Sequence, residues 1–517
     1  MDGQNEPTEQ DWGPFGRPLF DKPSARALSR VGVVDVGSNS VRMVVFDGAA
    51  RSPAYFYNEK IMCALGANMA STGRLNPEGR VRALAALKRF QSLAETMRTG
   101  PLTAVATAAV REAEDGPEFE AQVQRETGLK LNVIDGAEEA RLSAQGVLLG
   151  WPGSYGLVCD MGGSSVELAE IRGGEVGACM SSKLGPLRLR DLEGGATARR
   201  TLIKETIAHM RETLGEQRDR LFLVGGSWRA IAKIDMLRRG YPLHVLHEYR
   251  MNQASVRATA QFIRDNSVDD LRRMANVSSA RMALVPYAAE VLTRLVQTFK
   301  PRDIAISSYG VREGLLYEQM PQELRDRDPL IEACRFAEFK DARLPGYGKL
   351  IFDFVKPLFS KAKPDVVRLI KAACLLHDVS WRAHPDYRAE DCFDNATRAN
   401  LGGLKHSERV FLGLALMHRY SNKRDGSRFE TLSALVDDKQ ERDAEILGRA
   451  MRFAAMFWLR KDAKIGKLRW QPKKAVLTLT LNPSAVPLFG EVAQARFNAL
   501  AQALGAEPKV EVTTKAG

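Results

Sequence analysis

The chain has 517 residues, enough for roughly three or four domains at ~150 residues each. Its 44% hydrophobic and 27% charged content is that of a soluble globular protein, and no apolar run approaches the ~20 residues a bilayer-spanning helix needs. A net charge of +12 favours a polyanionic partner (nucleic acid, polyphosphate, phosphorylated nucleotide or anionic membrane), but no Lys/Arg block or Arg-Gly repeat marks a nucleic-acid tail.

Residues 1–30 are polar, lack the apolar core of a secretory signal and read as a flexible leader. Residues 31–34, 41–47 and 54–61 then read as three strands. Asn76-Pro77 opens a helix, since Pro suits a first helical position and Ala83, Leu84, Leu87 and Phe90 recur at helical spacing. Residues 102–106 (strand), 117–127 (helix), 131–134 (strand) and 137–149 (helix) complete a first half. The order then restarts with strands at 156–160, 166–171 and 175–181, helix 202–214, strand 221–224, helix 228–236, strand 303–307 and helix 311–320. Repetition at this length predicts a duplicated α/β fold with a cleft between the copies. Beyond residue 328 apolar residues recur at helical spacing through five segments, and 468–510 reads as hairpin, helix and strand. Six scattered cysteines with no CxxC pair argue against a disulfide framework and a thiolate zinc site, and fit a reducing cytoplasm.

Each half carries one version of the same bend. Asp35-Val36-Gly37-Ser38-Asn39-Ser40 and Asp160-Met161-Gly162-Gly163-Ser164-Ser165 each link two apolar strands. Such a turn aims backbone N–H groups and hydroxyls at one spot where a phosphate sits, with a carboxylate placed for a metal. Glu167 lies close after the second bend. Asp160 and Glu167, with Asp35 from the first bend, are the candidate magnesium ligands, because magnesium takes a few carboxylates plus water and substrate oxygens. Gly136-Ala137-Glu138-Glu139-Ala140-Arg141 opens a helix; one glutamate complements the helix dipole while the other faces the cleft, where phosphoanhydride hydrolysis needs a group to position water. Arg111 is a candidate phosphate clamp, and the amides at Gly226 and Ser227 meet an anion at a helix N-terminus.

With these residues in view, the chain resembles the exopolyphosphatase and guanosine pentaphosphate phosphohydrolase family, in its long multidomain form. The matching runs are Val34-Asp35-Val36-Gly37-Ser38-Asn39-Ser40-Val41-Arg42, Ala106-Thr107-Ala108-Ala109-Val110-Arg111-Glu112-Ala113, Asp135-Gly136-Ala137-Glu138-Glu139-Ala140-Arg141-Leu142, Asp160-Met161-Gly162-Gly163-Ser164-Ser165-Val166-Glu167-Leu168, Lys183-Leu184-Gly185-Pro186-Leu187-Arg188-Leu189 and Ser307-Ser308-Tyr309-Gly310-Val311-Arg312-Glu313-Gly314. The resemblance implies an α/β fold of duplicated actin-like (ribonuclease H-like) lobes, then an all-α HD-like domain and a small α+β C-terminal domain. The expected boundaries are 31–149 for lobe I (with a return helix at 309–325), 150–308 for lobe II, 329–462 and 463–517. It implies Glu139 as catalytic base, with Asp160 and Glu167 in magnesium binding and catalysis. Gly37, Ser38, Asn39, Ser40, Arg111, Gly163, Ser164 and Ser165 become phosphate-gripping positions. Ser164 stands where the family usually has a third glycine, a strained position should it need positive φ.

Leu375-Leu376-His377-Asp378 resembles the kernel of an HD-type domain, with His384, His406 and His418 downstream, but no histidine lies in 336–358 to complete a metal site. Lys183, Arg188, His377, Arg382 and Arg419, with Lys361, Lys363 and Lys423, are therefore expected to form a basic track for a long polyanion. The expected activity is magnesium-dependent removal of terminal phosphate from inorganic polyphosphate by a cytoplasmic homodimer. The alternatives are hydrolysis of guanosine pentaphosphate (pppGpp), a non-catalytic polyphosphate or alarmone-binding regulator, and a kinase of the actin superfold.

Overall fold

The computed structural model describes residues 30–47, 51–100, 102–216, 219–421, 427–457 and 465–513. The expected leader and Lys423 lie outside the described residues. The chain divides into two compact units, with the break between Arg327 and Asp328.

The first unit holds two mixed sheets on one plan. In the first, β1 (Val31–Val36), β2 (Ser40–Phe46) and β3 (Tyr55–Met62) form an antiparallel meander, and β4 (Thr103–Ala106) and β5 (Leu131–Val133) extend it in parallel from β1. In the second, β6 (Gly156–Met161), β7 (Val166–Arg172) and β8 (Glu175–Ser182) repeat the meander. There β9 (Arg220–Gly225) and β11 (Asp303–Ser307) continue in parallel from β6, and the short β10 (Arg250–Met251) closes the edge. The central strands β1, β6 and β9 are buried almost throughout, which matches their unbroken apolar runs.

Three cores stabilise this unit. One lies on the outer face of the first sheet around Val34, Leu87, Phe90 and Phe119. Another covers the second sheet around Ile207, Trp228, Val291 and Leu295. A third joins the halves: Val33, Val44 and Phe46 of the first sheet share it with Val158 and Phe222 of the second. The helices Gly136–Gly150 and Val311–Glu318 fill that middle layer and cross very closely. A Cβ at Gly146 would stand 2.2 Å from the Gly310 carbonyl oxygen, and one at Gly314 would stand 1.8 Å from that of Leu142. Only glycine permits this crossing, and the crossing sets where Glu139 and Arg312 emerge.

The second unit is mainly helical, with Pro364–Leu376, His406–His418 and Asp438–Ala454 carrying much of its buried surface. Toward its end β12 (Gly466–Gln471) and β13 (Val476–Leu481) pair as a hairpin. After the helix Glu491–Leu504, β14 (Glu507–Val512) runs parallel to β13. Among the described residues no helix is long and apolar enough to cross a membrane.

Candidate active site

The two bends have the same backbone closure and face each other. Gly37 N–H donates to Ser40 O, and Gly162 N–H to Ser165 O, both at 3.1 Å. The Ser38 and Ser164 hydroxyls lie 3.2 Å apart across the halves. Both line a cavity of about 290 Å³ together with Asn68, Glu112, Leu187 and Arg188. Ser164 is not among the residues with positive φ, so the replacement of glycine there brings no left-handed strain.

On one side of the bends sits a chain of acids. Asp135 caps the helix Gly136–Gly150 by accepting the Glu138 N–H at 2.8 Å. Glu138 turns outward to ion-pair with Arg141, whereas Glu139, 8% exposed, turns inward. One helical turn on, Ser143 donates to the Asp160 carboxylate. Asp160 stands directly opposite Glu167 in the β6–β7 register, and the Ser181 hydroxyl holds one Glu167 oxygen at 2.9 Å. The other oxygen of Glu167 and the Oε2 of Glu139 are buried without hydrogen-bond partners. Burial and the neighbouring carboxylates Glu167 and Asp160 push Glu139 well above the usual carboxylate range. Burial and Asp160 raise Glu167 to about 8, and burial raises Asp160 against the opposing hydrogen bond from Ser143. Stacked carboxylates with orphaned oxygens suit a cation that also takes water and substrate oxygens. No group of three or more His, Cys, Asp or Glu side chains is placed to hold a metal ion among the described residues, so a cation here would rest on two carboxylates plus water and substrate oxygens.

Asp35 departs from the role of a free metal acid. Its Oδ2 accepts a 3.0 Å hydrogen bond from Arg312 on the return helix, so its charge is already balanced. Arg111 lies at the mouth of the acidic group, donating to the Ile134 carbonyl at 2.7 Å and standing 3.6 Å from Glu139. Gly226 and Ser227 open the helix Gly226–Arg238 directly after β9.

A group of cations also adjoins the bends, near enough to Asp160 for Arg229 and Arg312 to oppose its upward shift. Arg42 on β2 sits directly opposite Lys60 on β3, an unfavourable pairing of like charges. Arg281 packs against Gly226, at the positive end of a helix. Arg229 and Arg312 complete the group. Burial, then Arg312 and Arg229, lower Arg42 to about 10; partial desolvation, then Arg281, Arg42 and Arg229, lower Lys60 to about 8. Among the described residues Arg42, Lys60, Arg229 and Arg281 form no ion pair. In the sequence Arg42 lies directly beyond the first bend, Arg229 just after Gly226-Ser227 and Arg312 within a matching run, but the register of Arg42 with Lys60 depends on strand pairing.

The residues expected in the basic track fall in both units. Lys183 is exposed on the first unit, where Arg188 ion-pairs with Glu112. In the second unit Arg382 is exposed over the Trp381 ring at 4.5 Å. His377 is buried, with Nδ1 2.8 Å from the Cys374 carbonyl; burial and Arg419 lower it to about 4, so it is neutral and not an anion contact. Arg419 does line a cavity rich in arginine.

Comparison with known proteins agrees with this geometry. The Ppx/GppA phosphatase family matches residues 44–323, more than half of the chain. The C-terminal domain of exopolyphosphatase matches 361–510. Exopolyphosphatase 2 of Mycobacterium tuberculosis is 26% identical over 314 residues, spanning 56% of this chain and 98% of its own. The solved structure of an exopolyphosphatase from Cytophaga hutchinsonii, 23% identical, covers 56% of this chain and 96% of its own with a TM-score of 0.51, a likeness of fold. With paired bends, an actin-like duplicated scaffold and a family match over most of the first unit, the chain belongs to the Ppx/GppA phosphatase family.

Proposed function

We propose that the chain removes orthophosphate from the end of inorganic polyphosphate. The observation that carries this reading is the 3.2 Å approach of Ser38 and Ser164, beside crowded buried acids and cations that form no ion pair. An anion with successive phosphoryl groups, accompanied by a divalent cation, would answer the cations and the acids together. Its terminal group lies against the two bends where they meet, held by amides and hydroxyls of Gly37–Ser40 and Gly163–Ser165. The next groups meet Arg42, Lys60, Arg229 and Arg281, and the amides of Gly226 and Ser227.

Glu139 positions the attacking water and takes its proton; burial among carboxylates makes it a stronger base than an exposed glutamate. The water oxygen bonds to the terminal phosphorus as the bridging P–O bond breaks. Orthophosphate leaves, and the chain end departs one unit shorter. Asp160 and Glu167 would hold magnesium, which neutralises phosphate oxygens when bound. Ser143 and Ser181 hold those two carboxylates in place by hydrogen bonds. Arg111 is close enough to Glu139 to exchange that contact for the phosphate being cleaved.

Phosphate release from long-chain polyphosphate, with and without magnesium, tests the reading. Glu139→Gln should cut turnover by about 10²–10⁴-fold while polyphosphate binding persists. Undiminished release from that variant would refute the assignment of the base. Release from guanosine pentaphosphate but not from polyphosphate would move the activity to the nucleotide.

A further inference from the structure

The small sheet near the end of the second unit has the order β12-β13-β14, so β14 (Glu507–Val512) is an edge strand. Every one of its residues is exposed, Val510 at 39% and Val512 at 50%. An edge strand carries backbone N–H and C=O groups with no neighbouring strand to take them. Here the N–H groups of Glu507 and Thr513 donate inward, to Ala475 O at 2.7 Å and Leu481 O at 2.9 Å. The two sides of a strand alternate residue by residue, so Pro508, Val510 and Val512 are the ones whose backbone groups face the open edge. Pro508 thus costs the ladder to β13 nothing.

The side chains sort in the same way. Pro508, Val510 and Val512 stand opposite Leu477, Leu479 and Leu481 of β13, on the face of those buried leucines. Lys509 and Glu511 occupy the other face, and neither has an ion-pair partner among the described residues. Suppose two copies meet edge to edge, antiparallel, with a two-fold axis at Val510. Each Val510 N–H then donates to the Val510 carbonyl of the other copy, and each Val512 N–H to the other Pro508 carbonyl. On the apolar face Val510 meets its counterpart and Val512 meets Pro508. On the polar face Lys509 lies opposite Glu511, twice. Directly opposed β-branched and opposite-charge pairs stabilise a sheet, and like charges weaken it. Moving the axis to Lys509 sets Lys509 against itself and Glu507 against Glu511; moving it to Glu511 sets Glu511 against itself. Charge selects one register.

We infer that β14 joins a second copy of this chain by two-fold antiparallel edge pairing centred on Val510, merging the two small sheets into one. The strand complements itself on both faces in that register, which favours a second copy over an unrelated strand. The two-fold axis also closes the contact, so it stops at a pair.

The test uses the full chain. Lys509→Glu and Glu511→Lys each oppose like charges across the axis and should raise the dissociation constant of self-association about tenfold in sedimentation equilibrium. An equimolar mixture of the two variants should recover the wild-type constant, because each then meets its opposite charge. Directly opposed residues fall within disulfide reach. Chains with Lys509→Cys mixed with chains carrying Glu511→Cys should therefore form, on mild oxidation, about tenfold more linked pairs than either alone. Adding Val510→Pro to both should abolish that product while the thermal midpoint holds, since the N–H removed faces outward. A mixture of charge variants that associates no more tightly than its components overturns the inference. So does a mixed disulfide yield no higher than that of the single variants, which would leave the edge to a strand of another protein. Neither measurement reads phosphate release, so this inference and the proposed hydrolysis fail separately.

Discussion

The two bends of the first unit share their backbone closure and nearly their residues, yet they end in opposite electrostatic states. Asp35 is neutralised by Arg312, 277 positions away. Asp160 has a neutral hydroxyl as its hydrogen-bond partner and faces Glu167 across the strand pair. Duplication produced a symmetric scaffold. The helices packed between the halves made it asymmetric, leaving one bend satisfied and the other loaded with repulsive carboxylates. An enzyme needs that division, because groups held ready for a cation and a phosphate must be short of partners within the protein.

Breaking the contrast at its strongest point means neutralising each aspartate in turn. Asp160→Asn should lower turnover by about 10²–10⁴-fold, while the thermal midpoint holds or rises because Glu167 and Glu139 lose a repulsive neighbour. Asp35→Asn should instead cost about 2–3 kcal/mol of stability, by leaving the Arg312 charge unpaired. Equal losses of melting temperature in both variants would mean the bends are electrostatically alike.

Next in size is the group of cations. Arg281→Gln should raise the KM for polyphosphate by about tenfold with a smaller change in kcat, and weaken the salt dependence of binding. A kcat effect alone would place Arg281 outside the grip on the chain. Smaller still are the facing serines. Ser38→Ala and Ser164→Ala should each cost about threefold to tenfold in kcat/KM, the value of one neutral hydrogen bond, and matched losses would show that both bends hold one phosphoryl group. The smallest effect is the pH response of Lys60. Lowered to about 8, it is charged below that pH and neutral above; Asp35 opposes the lowering. The KM should therefore rise a few-fold between about pH 7 and 9, and Lys60→Gln should flatten the rise. An identical pH profile in that variant would remove Lys60 from the substrate contacts.

Much of this was legible before folding. The hairpin expected in 468–510 is there as β12 and β13, and the helix expected from Asn76-Pro77 starts at Pro77 with Asn76 as its cap. Both signals are local, carried by side-chain period and capping chemistry. The Glu138-Glu139 pair showed that one acid would face outward and one inward, since neighbours on a helix point apart. The Asp35–Arg312 pair and the Arg42–Lys60 juxtaposition were not legible. Each needs a specific strand register or a helix returning from the far end of the unit.

By itself the chain's order of residues determined the paired bends, the strand meanders around them and the supply of acids and hydroxyls. Tertiary structure decided which acid was balanced, which cations were stranded and which glutamate was buried. The reason is range: turns and caps are settled within a few residues by φ/ψ and hydrogen bonding, whereas charge balance depends on partners brought together only when the glycine-lined crossing of Gly136–Gly150 and Val311–Glu318 closes.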